Sequence, residues 1–256
     1  MNNLTVTIMA AGEGKRMNSI IPKVLHNFNG IPMLIRIILE SIKLSAKKII
    51  IITGKYDTLI KSEIKSYFDK NNISFYDKLI FVQQTVPNGT GDAIRSTLDV
   101  YSDSEDVLIL NGDMPLLQAD LLQNFMLTHS QAKLLVAQLD NPYGYGRILY
   151  ENDNDNENPK KFIGIKEEKD CSPSEKEIQI INAGIYLFHS TILKKYIPLI
   201  TNDNTQNEYY LTDIVKVIRA NSNINIDTYQ IDDSLKYQIQ GVNTQKELYE
   251  LETNFM

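Results

Sequence analysis

The strongest constraint in this sequence is an alternation of two patterns. Apolar runs of buried-strand type, "LTVTIMA", "KKIIIIT", "KLIFVQQ", "DVLILNGD" and "KLLVAQL", are separated by helical patterns in "PMLIRIILESIKLSA", "DTLIKSEIKSYFDK", "GDAIRSTLDVY" and "ADLLQNFMLTH". Continuous Ile/Val/Leu strands need cover on both faces, and the intervening helices supply it. The spacing therefore predicts an α/β fold with a mostly parallel sheet. In such sheets ligands bind beyond the carboxyl ends of the strands. Two short polar stretches, "AAGEGKR" and "NGD", fall at such ends.

The rhythm changes after Tyr143. "YGRILYEN", "KFIGIKEEK" and "EIQIINAGIYLFH" read as successive strands, the first two joined through the Asn/Asp-rich tract at 152–158, which reads as a hairpin tip. Helical pattern returns in "STILKKYIPLI" and "EYYLTDIVKVIRANS". A strand follows in "INIDTYQI", and the helix-like "TQKELYELETNF" comes last. No internal repeat or composition shift marks a boundary, so one domain over 1–256 is expected.

Charge and cysteine usage exclude several classes. The formal charge of −6 argues against a nucleic-acid-binding protein, which needs a basic face. Residues 1–60 nevertheless carry eight Lys/Arg against Glu13, Glu40 and Asp57, which suggests a local anion site. Cys171 is the only cysteine, so neither an intrachain disulfide nor a Cys-based zinc site can form. No run approaches the roughly 20 apolar residues of a membrane span, and the start does not read as a signal peptide. A cytoplasmic protein with no membrane partner is expected.

Three stretches carry candidate chemistry. In "IMAAGEGKRM", Gly12 and Gly14 permit positive φ and close backbone approach, while Lys15, Arg16 and then Lys23 supply cations for a pyrophosphate or triphosphate. A solvated basic loop is the alternative. In "QQTVPNGTGDAI", the Gln84 side chain and the amides opening a helix at Gly89 and Thr90 can match the edge of a pyrimidine; a capped turn is the alternative. In "VLILNGDMPLL", a buried strand delivers Asp113 to the sheet edge, where a carboxylate can hold a metal beside phosphates or serve as a turn residue.

The order of "AAGEGKRM…PKVL", "GTGDA", "NGDMPLL", "YGRI", "IKEEKD", "INAGIY", "EYYLTDIV" and "GVN" closely resembles the sugar-1-phosphate nucleotidylyltransferases, over the stretch from Leu4 to Asn243. Within them it is most similar to the uridylyltransferase domain of bacterial N-acetylglucosamine-1-phosphate uridylyltransferases. The resemblance implies a Rossmann-like three-layer fold, with a nucleotide-binding part at 1–140, a hairpin-containing sugar-binding part at 141–243 and a C-terminal helix at 244–256. It implies UTP and N-acetylglucosamine 1-phosphate as substrates and Mg²⁺ as cofactor. Carried over position by position, Met9, Ala10, Gly12, Gln84, Gly89 and Thr90 bind the nucleotide. Arg16 and Lys23 act on the phosphates, and Asp113 and Asn243 hold the metal. Gly144, Glu167, Asn182, Tyr210 and Thr212 surround the sugar. His26 matches a histidine common in the motif and has no implied catalytic role.

Each of these residues also has an ordinary structural reading. Glu168 rivals Glu167 in "KEEKD", Asn182 could satisfy buried backbone, Tyr210 could be core, and Asn243 could cap the last helix. The sequence departs from the family pattern at Lys15, an added cation, at Asn111, which replaces an aromatic residue, and at Pro87. No hexapeptide period marks the acetyltransferase β-helix of the bacterial enzymes, so a monofunctional transferase is expected. Another pair, such as dTTP or CTP with a different sugar phosphate, and a non-catalytic nucleotide-sugar sensor remain as alternatives.

Overall fold

A computed structural model of the chain describes residues 3–151 and 161–255. Strand β1 (Leu4–Met9) runs into the glycine turn, and the short ribbon β2 (Asn27–Phe28) and β3 (Ile31–Pro32) leads to α1 (Met33–Lys43). Then come β4 (Lys48–Thr53), α2 (Asp57–Lys70), β5 (Leu79–Gln83), α3 (Thr90–Arg95), β6 (Asp106–Asn111), α4 (Ala119–Met126) and β7 (Ala132–Gln138). The second half holds β8 (Arg147–Tyr150), β9 (Phe162–Lys166), α5 (Pro173–Lys176), β10 (Ile180–His189), α6 (Ser190–Tyr196), α7 (Asp213–Asn221), β11 (Asp227–Gln230) and α8 (Gln245–Asn254).

The strands lie in the order β11-β7-β10-β6-β1-β4-β5, with β8 and β9 branching from β10. Pairing is parallel from β6 through β1 and β4 to β5, and again between β11 and β7; β10 runs antiparallel to both of its neighbours. The sheet is thus mixed and mostly parallel. Its strands alternate their apolar side chains between two layers. Ile49 and Ile51 of β4 pack with α1, α2 and α4, through Ile35, Ile64 and Phe125 among others. Ile50 and Ile52 face the opposite layer, with Ile94, Leu193, Tyr196 and Ile214 from α3, α6 and α7. A three-layer sandwich follows from that period of two.

Register fixes where loops emerge. Met9 pairs with Asn111 of β6 and with Ile52 of β4, so the turn after β1 and the turn after β6 leave the sheet at one edge. Because β10 is reversed, its beginning reaches that same edge, with Ile180 opposite Gln138 and Asn182 opposite Val136.

One expected helix starts late. The pattern of "EYYLTDIVKVIRANS" suggests helix from Glu208, but α7 begins at Asp213. Residues 208–212 pair instead with the turn before α3. Tyr209 donates its N–H to the Asn88 carbonyl at 2.8 Å and accepts from Gly91 at 2.7 Å, and the Leu211 N–H reaches Thr90 Oγ1 at 2.9 Å. These long-range bonds satisfy backbone that a helix would otherwise satisfy locally. The tract at 152–158 lies outside the described residues. No helix among the described residues is long and apolar enough to cross a membrane.

The centre of the sheet contains one buried polar link. Thr7 of β1 and Thr97 after α3 both meet the Tyr101 hydroxyl, at 2.9 and 2.8 Å, and burial pushes that phenol up to about 12. Replacing Tyr101 by Phe removes the bridge and leaves the fully buried Thr7 hydroxyl without its partner. The variant should lose about 1–2 kcal/mol of stability in denaturant unfolding; unchanged stability would show that the hydroxyl does not bridge.

Candidate active site

The turn after β1 brings cations to the sheet edge. Gly14 adopts φ +63° and Asn18 φ +46°, curling Lys15–Met17 into a single tight turn. Gly12 does not adopt positive φ, and a Cβ there would meet nothing within 4 Å, so the fold itself does not demand glycine at that position. Lys15 points outward, 86% exposed, and pairs with Glu13, which also holds Lys55. The added cation of the motif therefore lies outside the site, whereas Arg16 and Lys23 turn inward.

Those two meet the end of β6 and the loop before α8. The Lys23 ammonium bonds the Asp113 carboxylate and, at 3.1 Å, Asn243 Oδ1. The Arg16 guanidinium donates to the same Asn243 oxygen at 2.9 Å. Asn243 does not cap α8. That role belongs to Thr244, whose hydroxyl accepts from the Glu247 N–H, leaving the Asn243 side chain free for the cluster. Two cations, a carboxylate and an amide oxygen from sites more than 200 residues apart thus share one point.

A cavity opens on each side of this cluster. The smaller, about 330 Å³, is lined by every residue expected to hold a nucleotide, Met9, Ala10, Gly12, Gln84, Gly89 and Thr90, together with Lys23 and Pro87. Gly89 adopts φ +103°, and a Cβ there would come within 2.6 Å of the Tyr209 carbonyl, so this turn requires glycine. The larger cavity, about 550 Å³, is lined by Arg16, Gly144, Glu167, Asn182, Thr212 and Asn243 among others. Met9, Thr90, Asn111 and Asp113 line both. Asn111 therefore stands at the seam, its amide donating to the Gly184 carbonyl at 3.4 Å. Gly184 has φ +73°, and a Cβ on it would run into the Asn111 amide.

The structure separates residues that the sequence could not. Glu167 faces the larger cavity and accepts from the Thr212 hydroxyl at 2.7 Å. Its neighbour Glu168 turns away, binding Arg147 at 2.7 Å and the Gly144 N–H at 3.2 Å. Burial opposes the charge on Glu168, yet those two donors outweigh it and hold its carboxyl below the usual range. Arg147, 1% exposed, also donates to the Tyr145 and Lys176 carbonyls, so it anchors the turn at the cavity mouth from beneath. The "YGRI" motif contributes to the family resemblance, but the sequence assigns no role to Tyr145 or Arg147 within it.

Asn182 has a mixed role. Its Oδ1 accepts from the Gly184 N–H at 3.2 Å and its Nδ2 donates to the Tyr186 hydroxyl at 2.6 Å, which leaves one N–H and one lone pair for a ligand. Tyr210 stands behind Glu167 and Thr212. It does not line the larger cavity but a third one, of about 520 Å³, and its buried hydroxyl has no partner among the described residues. The backbone bonds of Tyr209 and Leu211 to the turn before α3, rather than an earlier helix start, set its position. His26 lines neither of the two adjoining cavities, and its Nε2 is buried without a partner among the described residues.

Burial pushes the Glu167 carboxyl up, and Asp213 and Asp170 add to the shift against the opposing hydrogen bond from Thr212. Between its ordinary and its raised value the folded protein binds more protons than the unfolded chain. Glu167 therefore favours folding at low pH and disfavours it as pH rises through the raised value. Glu167→Gln keeps the Thr212 acceptor and removes the buried charge. It should raise the Tm at pH 7.5 but not at pH 4; a Tm gain independent of pH, or none, would show that the charge is not the cost.

Comparison with known proteins places these features in a family context. The family model for the MobA-like NTP transferase domain matches residues 6–154. A protein of Acanthamoeba polyphaga mimivirus, named "Probable UDP-N-acetylglucosamine pyrophosphorylase", is 38% identical over 98% of this chain and 96% of its own length. The bifunctional protein GlmU of Nitratiruptor is 38% identical over 96% of this chain, which spans about half the length of that relative. A crystal structure of UDP-glucose pyrophosphorylase complexed with UDP-glucose superposes with a TM-score of 0.74 at 16% identity, covering 98% of this chain and 97% of its own.

Proposed function

The chain belongs to the MobA-like NTP transferase family, and from that premise we propose that it is a magnesium-dependent uridylyltransferase, converting UTP and N-acetylglucosamine 1-phosphate to UDP-N-acetylglucosamine and pyrophosphate. The observation that carries this reading is the convergence of Lys23, Arg16, Asp113 and Asn243 at the seam of two cavities. One cavity suits a base and the other a polyol. The names of the mimiviral and GlmU relatives support the choice of substrates.

In this reading residues 1–140 bind the nucleotide, 141–243 bind the sugar and 244–256 close the C-terminal side. The base meets Gln84 and the amides at Gly89 and Thr90, and the triphosphate follows the turn from Gly12 toward Arg16 and Lys23. Glu167, Thr212, Asn182 and the Gly144 turn receive the sugar hydroxyls and the acetamido group. An oxygen of the sugar phosphate attacks the α-phosphorus in line. A new P–O bond forms as the bond to the bridging oxygen breaks, and pyrophosphate leaves with that electron pair. The attacking phosphate is already anionic near neutral pH, so no protein group has to remove a proton. The barrier lies in repulsion between two anions and in charge gathering on the leaving group. Lys23 reduces the first and Arg16 the second by fixed electrostatics.

The residues present fit a divalent cation. Asp113 and Asn243 already direct two oxygens at one cation, the Lys23 ammonium. Among the described residues no group of three or more His, Cys, Asp or Glu is placed to hold a metal. Asp113 and Asn243 would therefore hold the ion with water and phosphate oxygens completing its shell, the habit of magnesium. When bound, magnesium supplies neutralisation and polarisation of the phosphoryl oxygens.

Pyrophosphate release from a panel of sugar 1-phosphates crossed with nucleoside triphosphates, with and without Mg²⁺, should single out UTP with N-acetylglucosamine 1-phosphate. Turnover confined to another pair would replace the substrates, and silence with tight UDP-sugar binding would favour a sensor. In the same assay Asp113→Ala should cost about 10²–10³ in turnover; near-normal activity would remove it from the metal site. Arg16→Ala should lower kcat more than it raises the sugar-phosphate KM, since the charge it meets develops in the transition state. A pure KM effect would contradict that role.

A further inference from the structure

The smaller cavity carries a hydrogen-bond asymmetry that the reaction itself does not require. Gln84, 7% exposed, lines this cavity just past the end of β5. Its Nε2 donates to the Gly89 carbonyl at 3.2 Å and to Asp92 Oδ2 at 2.9 Å. A primary amide has two N–H groups, and both are thereby taken. Its oxygen receives no donor among the described residues. The opposite orientation would set Gln84 Oε1 against the Asp92 carboxylate and the Gly89 carbonyl with no proton between any of them. Asp92, on the first turn of α3, therefore decides which end of the Gln84 amide a ligand meets.

The backbone beside it has the complementary polarity. The Gly91 N–H is held by the Tyr209 carbonyl and the Ala93 N–H by the Gly89 carbonyl. Those of Gly89 and Thr90 have no protein acceptor among the described residues. An acceptor next to free donors complements an imide edge, in which an N–H lies between two carbonyls. Uracil and thymine have that edge. Cytosine presents an unprotonated N3 and an amino group instead, so its N3 would face the Gln84 oxygen as acceptor against acceptor, an arrangement with a desolvation penalty and no bond.

We infer that Asp92 is a specificity-determining positioning residue, which locks the Gln84 amide so that the cavity accepts bases bearing an N3–H and rejects cytosine. This rests on the nucleotide occupying the smaller cavity, as in the proposed reaction. Asp92 also stands near Arg95, at 3.9 Å, and at a helix N-terminus, where a carboxylate stabilises the helix. A purely structural role would lower activity with every nucleotide alike, so the ratio between nucleotides separates the two.

The test compares kcat/KM for UTP and CTP in the parent protein and in Asp92→Asn, an isosteric change at a side chain 22% exposed. Asparagine can accept from the Gln84 amide or donate to its oxygen, so only the Gly89 carbonyl, at 3.2 Å, still opposes the second orientation. UTP turnover should fall while CTP turnover rises, narrowing the ratio at least about tenfold. A ratio unchanged within twofold, whatever the absolute loss, overturns the inference. Should the parent protein turn over no nucleotide, the proposed reaction fails, and titration calorimetry with UMP and CMP then decides. A parent preference for UMP that collapses in Asp92→Asn supports the role of Asp92, and equal or absent binding of both overturns it.

Discussion

Everything at the candidate site depends on one electrostatic junction, where the Lys23 ammonium is shared between Asp113 and Asn243 and Arg16 reaches the same asparagine. Like charges brought this close repel unless counter-charge lies between them, and effective dielectric near a half-buried site makes that repulsion count. Asp113 and the Asn243 oxygen supply the compensation in the ligand-free protein. Under the proposed reaction the triphosphate and magnesium replace it, each pairing with the partner of opposite sign. The junction therefore prearranges the cations without leaving them uncompensated before substrate arrives.

The junction exists because of strand register. The pairing of Met9 with Asn111 delivers the glycine turn and Asp113 to the same edge, and Ala10 is held to β4 by its N–H on the Ile52 carbonyl at 2.9 Å. Slipping β1 by one residue would also move Leu4, Val6 and Ile8 out of their apolar layer, so core packing and site geometry enforce the same register. The C-terminal contribution is tied in separately. Val242 donates its N–H to the Asp113 carbonyl at 2.9 Å, and Glu247 accepts from the Asn243 N–H at 2.7 Å. Backbone bonds on both sides thus leave the Asn243 side chain little freedom of direction.

Much of this was readable from local pattern, and the failures share a cause. The continuous apolar run in "KKIIIIT" and the helical period in "DTLIKSEIKSYFDK" specify β4 and α2, because burial on both faces or on one is a local signal. Residues 208–212 carry the same helical signal, but the backbone groups at Asn88 and Gly91 compete for them across more than 100 residues. No local pattern encodes that competition, so the start of α7 differs from expectation. The choice between Glu167 and Glu168 likewise depends on Arg147, a buried strand residue 21 positions before the Glu168 it binds. Lys15 looked like a third phosphate contact because it sits beside Arg16, yet the αL turn at Gly14 sends adjacent side chains in different directions.

The two cavities also differ in the sign of what is held there, and that difference orients a substrate. On the glycine-turn side the inward groups are Lys23 and the amides of Gly89 and Thr90, unpaired among the described residues. On the far side stands Glu167, which keeps an acceptor bond from Thr212 but no cation. Glu168 binds Arg147, so that guanidinium is withheld from Glu167, and the Arg16 guanidinium of the same cavity is held by Asn243 at the junction. Under the proposed reaction, a sugar phosphate entering this field gains by placing its phosphate at the junction and its hydroxyls at Glu167, and it loses on both counts if reversed. The same isolation keeps the Glu167 carboxyl raised by burial. Pairing it with a cation would remove that cost to folding, but would also occupy the lone pairs that make the far wall an acceptor. In the proposed sugar-binding role, the uncompensated carboxylate is therefore a local cost to stability that an acceptor wall for hydroxyls needs.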